Sequence, residues 1–290
     1  MGVNNWIKRN TESLEGRNVA ISGATGGIGK ELCKILASLG ASLILIDRNR
    51  AKSEALGESL KTEFPSLKIT YVTADMSDMD SVKRAADELI LTEIDHLILN
   101  AGAYAIPRKV CETGYDNVFQ INFVSPYYLA RRLFPLIKER GGRIVAVSSI
   151  AHNYSKTDCS DIDFSTRERA SLVYGNSKRF LTYSLLSVYG ETGAISIAHP
   201  GIAFTGITSH YPRLIFFIIK YPMKVIFMRP RKAALSVVKG IFTPTAEGEW
   251  IGPRLFNVWG LPKKKKLRAA CDDEIKFIYE KAEEIYEKFI

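Results

Sequence analysis

The sequence predicts an α/β fold: a doubly wound parallel sheet in three layers, αβα, with residues 1–290 forming a single domain. Short apolar runs alternate with longer amphipathic stretches. This is the pattern of parallel strands covered on both faces and joined by right-handed helical crossovers. No internal repeat and no linker-like break divides the chain. Its 290 residues, 46% hydrophobic and 24% charged, suit one large domain with a sizeable core.

The elements follow in order. Arg17–Ser22 is a short apolar strand. A glycine-rich turn leads to a helix over Gly27–Leu39, which Gly40 closes as a C-cap. Ser42–Asp47 is the second strand and Ala51–Phe64 the second helix. Lys68–Thr73, the helix Ser81–Leu91 and the strand His96–Asn100 continue the alternation. A long helix covers Tyr115–Glu139. Gly141 and Gly142 then precede the strand Arg143–Ser148. The helix Leu172–Tyr189 and the strand Ala194–Ala198 come next, and a last strand is predicted over Arg254–Val258. A C-terminal helical tail, residues 271–290, puts Ile275, Ile278, Ala282, Ile285 and Phe289 on one face.

Composition excludes several classes. Cys33, Cys111, Cys159 and Cys271 are scattered without a CxxC pair, which argues for a reducing, cytoplasmic setting rather than a disulfide framework. None of His96, His152, His199 and His210 has metal-ligand spacing, so no metal site is expected and the histidines are read as structural or surface residues. The start, Met1–Asn10, lacks the apolar core of a signal peptide, and Trp6 stands where a myristoylation motif needs Ser or Thr. The greasiest stretch, Leu214–Met228, is broken by Lys220, Pro222 and Lys224 and is too short to span a bilayer. The net charge is +9, with a cluster at Lys263–Lys266 and Arg268. That cluster reads as a solvated loop or as a peripheral contact with anionic membrane lipid. It lacks interleaved aromatics, so nucleic acid is not expected as a partner. A serine hydrolase is disfavoured because GxSxG is absent.

The first turn, Ser22-Gly23-Ala24-Thr25-Gly26-Gly27-Ile28-Gly29, lies between a strand and a helix. Glycines there let backbone approach a pyrophosphate, and the helix N-terminus offers N–H groups to it. Asp47 ends the second strand. It is either a plain strand-end turn residue or an acceptor for both ribose hydroxyls of NAD, where it would repel the 2′-phosphate of NADP. Arg48 follows and could pair with that phosphate or stack on adenine. On balance the two favour NAD(H) slightly over NADP(H). Tyr174-Gly175-Asn176-Ser177-Lys178 places a phenol and an ammonium one helical turn apart. A free phenol titrates near pH 10, and lowering that by about three units needs roughly 4 kcal/mol of differential stabilisation. Lys178 and a cationic nicotinamide together could supply it, and Tyr174 would then exchange a proton with an alcohol or ketone.

These motifs, in this order, resemble the short-chain dehydrogenase/reductase family and most of all its retinol-dehydrogenase-like branch. The turn matches TGxxxGxG with Ser22 in place of threonine, and the likeness covers nearly the whole chain. The tail Ile251-Gly252-Pro253…Trp259-Gly260, with its lysine run and acidic helix, is similar to that branch, as is the long interval from Ser149 to Tyr174. The resemblance implies a Rossmann fold and hydride transfer between NAD(P) and an alcohol or ketone. It implies Asn122, Ser149, Tyr174 and Lys178 as the catalytic group, with Ser149 rather than Ser148 holding the substrate oxygen and Asn122 anchoring a proton-relaying water. It implies Asp75 (before Met76) on the adenine amino group, Asn100-Ala101-Gly102 under the cofactor, and Pro200, Gly201 and Thr205 over the nicotinamide. It also implies a dimer or tetramer formed through the two long helices.

The segment 205–230 is read as a substrate lid. Its apolar side chains fit a bulky retinoid-, steroid- or lipid-like alcohol or carbonyl, or serve core packing or a subunit contact, and with the lysine run they could rest on a membrane. A non-catalytic nucleotide-binding sensor is the second class of function, disfavoured because such proteins lose the Tyr or Lys retained here. An isomerase or epimerase would need a larger substrate domain than this chain has room for.

Overall fold

The computed structural model describes residues 1–202, 228–268 and 270–290. Helix α1 (Val3–Asn10) precedes strand β1 (Asn18–Ser22), which turns into α2 (Gly27–Ser38). Strand β2 (Ser42–Asp47), helix α3 (Arg50–Glu63), strand β3 (Ile69–Thr73) and helix α4 (Met79–Ile90) follow. After β4 (His96–Leu99) the long helix α5 opens as a short turn, Asn117–Phe119, under the Asp116 cap. It widens into a π turn, Gln120–Val124, and continues as Ser125–Glu139. Then come β5 (Arg143–Val147), α6 (Ala170–Tyr189), β6 (Ile195–Ala198), α7 (Pro230–Phe242), β7 (Glu249–Leu255), β8 (Trp259–Lys266) and α8 (Asp272–Glu287).

The eight strands form one sheet in the order β3-β2-β1-β4-β5-β6-β7-β8. All neighbours are parallel except β7 and β8. The order reverses between β1 and β4, which opens a crevice at the carboxyl ends of the strands. On one face α4, α5, α6 and α8 bury Val82, Phe119, Phe123, Leu133, Phe180, Ile278 and Ile285. On the other, α1, α2 and α7 bury Trp6, Leu32, Leu36, Leu235 and Val238. Each such side chain taken fully from water contributes roughly 1.5–3 kcal/mol.

The strand expected over Arg254–Val258 starts earlier, at Glu249, and ends at Leu255; the rest of that span is the tip of a β7–β8 hairpin. Phe256 and Asn257 sit at φ 49 and 59, and Val258 N donates to Leu255 O at 3.0 Å, which is the two-residue turn that matches strand twist. The lysine run, read as a loop or a lipid contact, lies in the edge strand, with Lys263 opposite Gly252 and Lys266 opposite Glu249. Lysines on a sheet edge guard it against pairing with other chains. His199, in the loop just past β6, is a structural residue: it is buried and stacks on Trp250 with ring centroids 5.3 Å apart. Of the proposed lid 205–230, all but Met228, Arg229 and Pro230 lie outside the described residues. Among the described residues no helix is long and apolar enough to cross a membrane, and no cluster could hold a metal ion.

Candidate active site

A cavity of about 800 Å³ opens at the carboxyl ends of the strands. Its floor is the glycine turn. Gly23, at φ +67, lies so close to Ala101 that a Cβ on it would stand 2.9 Å from Ala101 Cα. The Ser22 hydroxyl accepts from the backbone N–H of Asn100 and of Ala101, each at 3.0 Å. The Asn100 amide donates to the Ser22 and Gly23 carbonyls, each at 3.0 Å. The ends of β1 and β4 are thereby locked together. Thr25, Gly26, Gly27, Ile28 and Gly29 line the cavity at the start of α2, whose N-cap Gly26 makes no side-chain cap. Uncapped N–H groups at a helix start suit an anionic phosphate. Gly102 continues the floor, 3.0 Å from Asn122 Oδ1 measured from its would-be Cβ.

Asp47 and Arg48 stand at the end of β2. Asp47 is 5% exposed. Its Oδ1 accepts from Thr25 N at 3.1 Å and Thr25 Oγ1 at 2.8 Å, and its Oδ2 from Ser53 Oγ at 3.0 Å. Burial raises its carboxyl above the usual range, while the bonds from Thr25 and Ser53 hold it down in part. A carboxylate has about four lone-pair sites, so room for a further donor remains. Arg48 reaches out at the mouth and meets Asp75 Oδ2 at 3.8 Å. Asp75 Oδ1 accepts from Ser77 N and Ser77 Oγ at 2.9 and 2.7 Å. Met76 lines the cavity, and its carbonyl accepts from Ser125 Oγ at 2.7 Å.

The YxxxK pair lies on α6 with both side chains at the cavity. Lys178 Nζ donates to Val147 O at 2.8 Å and lies 5.9 Å from the Tyr174 ring centroid. Burial lowers its ammonium to about 8. Burial also raises the Tyr174 phenol, and the Ser149 hydroxyl beside it draws it part of the way back. The protein alone therefore holds a neutral phenol beside a mostly charged ammonium at neutral pH. Ser149 lies two residues past β5 and lines the cavity, whereas the Ser148 hydroxyl is spent on Thr182 Oγ1 at 2.7 Å. Asn122 sits in the π turn, fully buried. Its Oδ1 accepts from Ala103 N and its Nδ2 donates to Ala103 O, both at 2.9 Å. Its Nδ2 also donates to Ser177 Oγ at 3.2 Å. The Asn122 side chain thus pins the β4–α5 loop; π turns of this kind recur at functional sites.

Pro200 and Gly201 line the cavity's far wall. Gly201, at φ +82, leaves no room for a Cβ, which would come within 2.8 Å of Pro253 Cγ and Val258 O. Thr205 lies outside the described residues. The structure also brings to the cavity wall residues that sequence reasoning passed over: Lys52, Tyr104, Ile106, Tyr154 and Ser171. Tyr104 meets the Tyr174 ring edge-on with centroids 5.2 Å apart. Its place two residues past Gly102 was the available signal.

Residues 17–160 match the family model described as short chain dehydrogenase. Human polyprenol dehydrogenase is 26% identical over 249 residues, covering 80% of this chain and 74% of that protein. Mouse retinol dehydrogenase 12 is 30% identical over 202 residues, 67% of this chain and 64% of its own length. The chain spans 54%, 74% and 48% of the length of three such relatives. Among solved structures, an uncharacterized protein of Mycobacterium paratuberculosis superposes with a TM-score of 0.73 at 22% identity, over 96% of each chain, a likeness of fold.

Proposed function

The chain belongs to the short-chain dehydrogenase family and to its retinol-dehydrogenase-like branch, and we propose that it is an NAD(P)-dependent oxidoreductase of one domain acting on an apolar alcohol or ketone. The observation that carries this reading is the convergence of Tyr174, Lys178 and Ser149 on the cavity that the glycine turn floors. Bound nicotinamide would supply or accept the hydride. The glycine turn and the start of α2 would hold the pyrophosphate, Asp47 the ribose, Asp75 and Met76 the adenine, and Asn100 to Gly102, with Pro200, Gly201 and Thr205, the nicotinamide half. Ser149 would hold the substrate oxygen, Tyr174 would move its proton, and Lys178 would favour the phenolate. Asn122 would keep the loop and Ser177 in register. A panel of retinoid, steroid, aliphatic and sugar alcohols, followed by nicotinamide absorbance, tests it. Sugars turning over faster than apolar alcohols would reject the substrate class.

The preference for NAD(H) is the finer part of the proposal. Asp47 sets a buried carboxylate on the wall where a 2′-phosphate would come. Asp47→Ala should raise the NADPH-to-NADH ratio of kcat/KM by about tenfold, roughly the worth of one charge-assisted hydrogen bond. An unchanged ratio would hand the choice to Arg48 and Lys52.

A peripheral membrane contact would use the hairpin tip. Phe256 is 89% exposed and Leu255 53%, and Lys232 lies 5.8 Å from the Trp259 ring. Lys264 is paired with Glu249 at 2.9 Å and Lys265 with Asn257 Oδ1 at 2.6 Å, so Lys263 and Lys266 are the lysines of the run left for lipid, at about 1 kcal/mol each. Phe256→Asp should weaken co-sedimentation with phosphatidylserine vesicles. Equal binding by the variant would remove the tip from the contact. Assembly through α5 and α6 would have to accommodate α8, which packs Ile278 and Ile285 into the same cluster as Phe123 and Phe180. We therefore place any dimer or tetramer contact beyond the area that α8 covers.

A further inference from the structure

The Ser149 turn is held from a distance. Residues Ile150–Asn153 form a single 3₁₀ turn that Ser149 caps, with Ala151 N donating to Ser149 Oγ at 3.2 Å. The Ser149 carbonyl accepts from His152 N at 3.1 Å and from His152 Nδ1 at 2.6 Å. The His152 ring is fully buried, edge-on to Trp250 with centroids 5.1 Å apart. The His152 carbonyl in turn accepts from Arg179 Nη1 at 3.1 Å. Arg179 is itself buried, next in sequence to Lys178, and its fork closes on Glu274 of α8: Nε to Oε1 at 2.7 Å and Nη2 to Oε2 at 2.5 Å. Glu274 Oε1 also accepts from Thr157 N at 2.9 Å. One carboxylate on the last helix thus holds both ends of the segment from residue 152 to 157.

We propose that Glu274 is a positioning residue for Ser149, acting through Arg179 and His152 to fix the turn that aims the serine hydroxyl into the cavity. A bidentate Arg–carboxylate pair fixes direction as well as distance, and every link between it and Ser149 is a hydrogen bond to backbone. The turn also lies flat on α6: a Cβ on Gly175 would stand 2.5 Å from Ala151 O. Burial alone would raise the Glu274 carboxyl, but the Arg179 and Thr157 donors overcome it and hold it down at about 2, so the carboxylate stays ionised across the working range. α8 is therefore tied to the site although none of its residues lines the described cavity.

The inference rests on the reading of Ser149 given above, and the test separates the two. Full-length Glu274→Gln, Glu274→Asp and Ile278→Val are compared with the parent. Ile278→Val loosens the packing of the same helix without touching the pair. Amide hydrogen exchange over residues 149–157, dinucleotide Kd, kcat and KM are measured together with Tm. In Glu274→Gln, exchange should quicken over residues 149–157, and kcat should fall about tenfold, as a small misplacement of a reacting group allows, with dinucleotide Kd unchanged. Glu274→Asp should recover most of the loss. Unchanged exchange over residues 149–157, or an equal fall in kcat in Ile278→Val at matched Tm, would overturn the proposal. Faster exchange with full kcat would overturn it through its premise, and normal turnover by Ser149→Ala would identify that premise as the fault.

Discussion

A Tyr174→Phe chain is expected to bind the dinucleotide as the parent does and to turn over alcohol about 10²- to 10⁴-fold more slowly, the range of a lost general acid–base group. Phenylalanine keeps the ring, so the edge-on contact with Tyr104 survives and the fold should not move. What disappears is the phenolic oxygen, which lies beside the Ser149 hydroxyl and could carry the substrate proton. The pH dependence follows from the lysine. Burial lowers Lys178 to about 8, so its charge is complete well below that pH and is lost as pH rises through it. The support this charge gives the phenol is lost with it, and carbonyl reduction should fall above about pH 8. Equilibrium binding and stopped-flow turnover of the variant, with a pH–rate profile of the parent, check both. Normal turnover by Tyr174→Phe would remove the phenol from the chemistry.

How much of this was legible in the sequence depends on whether the signal is local. The glycine turn, the YxxxK pair and the strand-end residues Asp47, Asp75 and Asn100 are local, since each depends on spacing within one turn or at one strand end. They were named from sequence, and the structure gathers them around one cavity. The π turn was not legible, because Gln120–Val124 carries no residue that marks a widened helix. Nor was the hairpin: Trp259–Lys266 ends in four lysines and contains Pro262, so no apolar alternation announced a strand. Helix α1 was hidden by its polar composition, though Trp6 and Ile7 are buried. Helix α7 follows directly on the greasy stretch, which masked its own period. The link from Glu274 to Arg179 spans 95 residues and exists only once α8 has packed. Interactions of that kind belong to the tertiary structure, and a pattern read along the chain cannot contain them.

Gly29→Ala is expected to cost both stability and nucleotide binding, for a reason visible in the backbone. A Cβ at Gly29 would stand 2.3 Å from Gly23 O, 2.7 Å from Ala24 O and 2.8 Å from Ala24 Cα. All three are main-chain atoms, so no side-chain rotation relieves the clash. Gly23 has no room to retreat, since it already lies against Ala101, and Ala101 is tied to the Ser22 hydroxyl. The whole turn must lift from the end of β1. Overpacking of this kind costs about 1–3 kcal/mol, which for a chain of this size lowers Tm by several degrees. The displaced N–H groups at the start of α2 would no longer converge on a phosphate, so dinucleotide affinity should fall about tenfold or more. Gly26→Ala is the internal comparison. Its Cβ would meet only Gly23 O, at 3.2 Å, a contact that a shift of a few tenths of an ångström relieves, so its Tm should stay closer to the parent's. Equal Tm and equal Kd in Gly29→Ala and the parent would mean that the turn is not the rigid cradle its geometry describes, and the assignment of the pyrophosphate to it would fall with that.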